Sequence, residues 1–151
     1  MKKAIVAAVA ALALGVTAGA ALAQVKPEVL VKQRQSAMTL IGKYFGPLGG
    51  MAQGKAPFNA QVVQRNADYL AALSQMPWDG FDPSTANTKS RAKPELFKET
   101  QKVKELAERF QGEVKKLQTV AKSGDEAAIK SQIAAVGKSC GACHDAYREK
   151  Q

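Results

Sequence analysis

Histidine is almost missing from this 151-residue chain, which has one, His144. Cysteine is scarce as well, with two residues, and tryptophan occurs once. These shortages exclude whole classes of site. No metal centre with two histidine ligands can be assembled. A structural zinc site needs four ligands, and a single Cys-Cys-His set supplies three with no second cluster to complete the tetrahedron. Peroxidase-type chemistry needs a distal acid/base with a charge-stabilising partner, and no second histidine exists to serve, so an enzyme is not expected. Strand-like alternation is absent too. That removes sheet folds and the strand-to-helix setting in which a thioredoxin-like CxxC pair normally sits. Aromatic residues make up 6% of the chain, and none interleaves with a basic cluster, so a nucleic-acid surface is not expected.

What the chain does have is concentrated. Both cysteines and the histidine fall in one pentapeptide, Cys140-Gly141-Ala142-Cys143-His144. Two thiols at this spacing can add to the two vinyl groups of one porphyrin, and the next residue is then held where its imidazole binds the iron. The motif therefore reads as an attachment site for one covalent haem c, with Cys140 and Cys143 as the anchors and His144 as the axial ligand.

The N-terminus reads as a secretory signal. Lys2 and Lys3 form the charged start, Ala4 to Leu14 the apolar run, and Ala21-Leu22-Ala23 a small-x-small cleavage site. The run is short for a membrane span and is interrupted by Gly15 and Gly19, so residues 1–23 are expected to be cleaved, with no membrane anchor left. Export to the periplasm suits the motif, because bacterial haem attachment to CxxCH takes place outside the cytoplasm. Residues 24–151 are then one domain. Removing Lys2 and Lys3 from the net charge of +9 leaves +7, spread along polar helix faces with at most a bias towards acidic partners.

Periodicity divides that domain into four amphipathic helices. Pro27-Glu28 opens the first, and Leu30, Arg34, Met38, Ile41 and Phe45 mark its inner face, with an end expected at Gly46-Pro47. Met51 then falls in a glycine-rich loop. Asn59 is the expected N-cap of the second helix, whose face runs through Val62, Tyr69, Leu70, Leu73 and Met76 to Pro77-Trp78. Residues 79–93 are polar and turn-rich. Pro94-Glu95 is expected to open the third helix, with Phe97, Val103, Leu106, Phe110, Val114, Leu117 and Ala121 inward. The fourth starts near Asp125-Glu126 and carries Ile129, Ile133, Val136, Cys140, Cys143 and Tyr147 at helical spacing. The thiols thus continue an apolar stripe and are expected to face the core. The fold class is all-α, an antiparallel four-helix bundle with one covalently bound haem.

At this point the chain resembles the class II c-type cytochromes, the cytochrome c′ family. The resemblance covers the whole of residues 24–151. It rests on Arg34-Gln35-x-x-Met38, Pro77-Trp78, Lys93-Pro94-Glu95 and the run from Cys140 to Arg148. It implies one haem per chain, His144 as the proximal ligand, Arg34 and Gln35 in contact with the haem, and Met38 over the distal face. It also implies a homodimer that takes up nitric oxide or carbon monoxide on a five-coordinate iron. The alternative within the family is a low-spin electron carrier in which Met38 is the sixth ligand and the basic surface meets redox partner proteins.

Individual residues carry further expectations. Arg34 is the one charge on the inner face of the first helix, and a buried arginine needs a partner such as a haem propionate; the alternative is a side chain snorkelling from the edge. Arg148 lies one turn beyond His144, beside the proximal imidazole by resemblance or as a plain surface charge near the helix end. Trp78, Phe81 and Tyr147 are expected as packing aromatics, Ser90 and Arg91 near a propionate, and Val31 or Leu40 at a dimer interface.

Overall fold

The computed structural model describes residues 25–150. The expected signal segment, residues 1–23, lies outside the described residues. Four helices form the body: α1 (Pro27–Ala52), α2 (Ala60–Leu73), α3 (Thr100–Val120) and α4 (Glu126–Tyr147). Each packs on two neighbours, α1 on α2 and α4, and α3 on the same two, which closes an antiparallel bundle. Among the described residues no helix is long and apolar enough to cross a membrane.

The caps follow the sequence. Asn59 and Asp125 each accept a bond from the backbone N–H three residues on, at Val62 and Ala128. These bonds satisfy donors that the first turn of a helix leaves open.

α1 runs six residues past the expected stop. Gly46 and Pro47 lie inside it, both exposed. A proline there removes one helix bond and costs roughly 3 kcal/mol in a helix interior. The last turn offsets this by burying Leu48 and Met51, each contributing about 1.5–3 kcal/mol. Met51 is thus a buried helical residue and not part of a loop. The helix ends at Gly54, whose φ of 72° permits the bonds Gly54 N–H to Met51 O and Lys55 N–H to Gly50 O. That pairing is a Schellman close, and it needs the left-handed conformation glycine adopts freely.

Three other expectations are corrected. Pro94–Phe97 forms a separate 3-10 turn, and α3 begins only at Thr100. Leu96 of this turn is buried in a cluster with Val103 and Tyr147. The buried face of α1 is Val31, Arg34, Ala37, Ile41, Leu48 and Met51, so Val31 belongs to the core and not to an interface, while Leu40 is 40% exposed. Tyr69 and Met76 are exposed; on α2 the inward positions go to Val63, Asn66, Ala67, Leu70 and Leu73.

The apolar interior has two parts. The larger runs the length of the bundle through Leu48, Val63, Leu70, Val114, Leu117, Ile129, Ile133 and Val136. The smaller gathers Leu96, Val103 and Tyr147 beside Phe81, Phe97 and Cys143.

Candidate haem site

α4 supplies the thiols and the imidazole. Ile129, Ile133 and Val136 fix which face of α4 meets the core. The fully buried row then continues through Ser139, so Cys140 and Cys143 sit half-buried beside it and not at its centre. Their position is nonetheless specific. Cys140 packs on the larger cluster and Cys143 on the smaller, so the two sulfurs straddle the junction between them. Both are unpaired thiols. Burial pushes both above the ordinary thiol range. His144 is held below its ordinary value, by burial first and then by the cations Arg148 and Arg91, with Asp145 opposing. Both influences favour the uncharged ring, the form that binds a metal.

Opposite, α1 presents Arg34, Gln35 and Met38. Met38 is half-buried against the same cluster as Cys140. Gln35 is exposed. Arg34 is 4% exposed, so it does not snorkel. Its Nη1 donates to Gly80 O and to Thr85 Oγ1 at 2.8 Å, and its Nη2 donates to Ser90 Oγ at 2.9 Å. The guanidinium also lies 5.0 Å from the Phe81 ring centre and 5.8 Å from that of Phe97. A guanidinium has five N–H donors, so these three bonds leave two uncommitted, enough for one carboxylate. Residue 80 must be glycine for this approach, since a Cβ there would stand 2.5 Å from Arg34 Cβ and 2.7 Å from Leu30 O.

The connection between α2 and α3 carries Trp78 and Phe81 to one side of the site. Their rings stack at 6.0 Å, and Trp78 Nε1 donates to Ser74 O at 2.6 Å. With Leu96, Val103 and Ala107 they line an apolar groove of about 210 Å³. Phe81, Leu96 and Val103 belong also to the cluster that holds Cys143.

The same connection then crosses the end of α4. Ala92 and Arg148 form an antiparallel bridge, with Lys93 N–H bonded to Tyr147 O and Glu149 N–H to Arg91 O, both at 2.9 Å. Arg91 bonds Glu149 O through its guanidinium, and Lys93 Nζ bonds the carbonyls of Asp145 and Ala146. Tyr147 Oη donates to Glu99 Oε2 at 2.6 Å. Tyr147 is therefore a polar tie as well as a packing aromatic, and Arg148, exposed, ends α4 in extended backbone. Ser90 bonds Arg34 and Arg91 bonds the C-terminal segment.

The donor set fits a covalent haem: two half-buried thiols on one helix, an imidazole beside them, and a buried arginine with donors to offer. Gly80, Thr85 and Glu99 were not singled out by sequence reasoning. A buried Arg34 and an inward Tyr147 hydroxyl both demanded partners, which was the available signal.

Fold and site together define a helical-bundle c-type haem protein. A family model described as cytochrome C′ matches residues 29–148. The chain is 39% identical over 126 residues to cytochrome c′ of Alcaligenes xylosoxydans xylosoxydans, covering 83% of this chain and 98% of that one. It superposes on cytochrome c prime from Shewanella frigidimarina with a TM-score of 0.79 at 35% identity, over 82% of this chain and 97% of that one. A ferrous Arg-to-Lys variant of the Alcaligenes xylosoxidans protein with bound NO gives 0.77 at 38% identity, over 85% and 99%. The chain belongs to the cytochrome c′ family, and its cofactor is that family's covalent haem c.

Proposed function

We propose that this chain is an exported periplasmic haem protein that binds nitric oxide or carbon monoxide and exchanges electrons with redox partner proteins, without being an enzyme. Haem iron supplies a site that binds a diatomic ligand and changes oxidation state. Cys140 and Cys143 would anchor the group, and His144 would bind its iron. Arg34 offers its two uncommitted N–H groups to a propionate. Gln35, being exposed, reaches the group only at its rim.

The observation that carries the reading is Met38. It is half-buried on the helix facing Cys140, and its thioether has no hydrogen to donate. Such a side chain limits access without giving bound oxygen the hydrogen bond that stabilises it. The nitric oxide complex of the Alcaligenes xylosoxidans relative supports the choice of ligand. Arg148 and Arg91, near enough to influence His144, place positive charge beside the proximal imidazole. Exposed Leu40 and Val29 on α1 and Tyr69 on α2 support a homodimer that covers them.

The absorption spectrum of the ferrous protein tests the iron's sixth position. A broad high-spin Soret band with prompt carbon monoxide binding is expected. Met38→Ala should raise carbon monoxide affinity at unchanged spin state, because the distal obstruction shrinks. A low-spin wild type that turns high-spin on this substitution would instead make Met38 the sixth ligand and the protein a plain electron carrier.

A further inference from the structure

We infer that Ser90 is a positioning residue that ties the distal helix α1 to the backbone behind His144. The tie runs through two hydrogen bonds to Ser90 and then through a backbone bridge. Arg34 Nη2 donates to Ser90 Oγ at 2.9 Å, and Ala92 N–H donates to the same oxygen at 3.2 Å. Ala92 lies opposite Arg148 in the bridge, whose bonds run between their neighbours, Lys93 N–H to Tyr147 O and Glu149 N–H to Arg91 O, and Arg148 N–H bonds His144 O. A serine oxygen has two lone pairs, so these two donors saturate it as an acceptor.

The geometry makes Ser90 a junction and not one tie among many. On its α1 side stands a buried guanidinium that cannot shift without also disturbing Gly80 and Thr85. On its α4 side stands a bridged segment, Arg91 to Lys93, which holds the backbone from Asp145 to Glu149 through side-chain and main-chain bonds. Displacement of Arg34 is therefore passed to the turn that carries His144. The inference rests on the haem reading above, because it gives His144 an iron to be positioned against.

The test compares Ser90→Ala with Ser90→Thr in the haem-loaded protein. Two readouts are followed: hydrogen exchange at the Lys93 and Glu149 amides, and the iron–imidazole stretching band of the ferrous form by resonance Raman. Ser90→Ala should speed exchange at both amides about tenfold, the scale of one lost hydrogen bond, and should shift the band. Ser90→Thr keeps the hydroxyl and should restore both. Unchanged exchange, or faster exchange with the band in place, overturns the inference. Failure of the haem reading is seen separately, as a wild-type mass lacking the prosthetic group.

Discussion

The two ends of the bundle are built by different physics. At the end away from the thiols, Leu48 and Met51 of α1 meet Val63 of α2, Leu117 and Ala121 of α3 and Ile129 of α4. The two turns there close on glycines, Gly54 and Gly124, at φ of 72° and 74°. Nothing in that end asks for a further component. The other end is tied by polar contacts: Arg34 to the α2–α3 connection, Tyr147 to Glu99, and the Ala92–Arg148 bridge. Its thiols stay half-buried. The first end is thus held by burial. The reactive end is shaped by directional bonds that set positions more than they add burial.

If this division holds, a cavity at the first end should cost the most and leave the site alone. Leu117 is fully buried. Leu117→Ala should destabilise the protein by about 2–5 kcal/mol, the range for a deleted core leucine. Thermal unfolding should show the loss while the visible spectrum of the folded protein stays unchanged. A spectral change of the kind expected for site-end variants would mean that the two ends are not separable.

Gly80→Ala should behave the opposite way. Its new Cβ collides with Arg34 and with the Leu30 carbonyl, so the connection must move off α1. A forced shift of this kind costs about 1–3 kcal/mol. The smaller stability loss should come with a clear change in the Soret band and in carbon monoxide affinity. Calorimetry alongside the spectrum separates the two signatures.

The sequence showed the local signals at both ends and missed the tertiary ones at both. Helical periodicity in α2, α3 and α4, the caps Asn59 and Asp125, and the Cys140–His144 motif are local signals, and they were legible as such. Pro47 misled because a proline normally stops a helix. The burial of Leu48 and Met51 that overrides it is a tertiary effect. Pro94 misled as a start: it opens a 3-10 turn, and α3 begins only at Thr100. The partners of Arg34 lay in a polar, turn-rich stretch with no periodicity to assign them. Met38 was placed on the right helix face, and that placement came from spacing alone.

The smallest expected effect concerns the tie between Tyr147 and Glu99, which should also titrate. The Glu99 carboxylate pushes the Tyr147 phenol up to about 12. Tyr147's hydroxyl in turn holds Glu99 below the ordinary carboxylate range, helped by Lys102. The tyrosine's raised value means that the unfolded chain loses this proton first as pH rises. Its contribution is therefore full below the ordinary tyrosine range and lost as pH climbs through about 12. For Glu99 the sign is reversed: the contribution is present above the ordinary carboxylate range and lost as pH falls through the depressed value. Glu99 is exposed, so solvent screening keeps both limbs small. Tyr147→Phe removes the hydroxyl while keeping the ring that packs on Leu96 and Val103. Its melting temperature should fall below the wild type's most at neutral pH, and the gap should narrow towards both extremes. A gap that stays constant across pH would show that the ring, and not the hydrogen bond, holds this corner of the site.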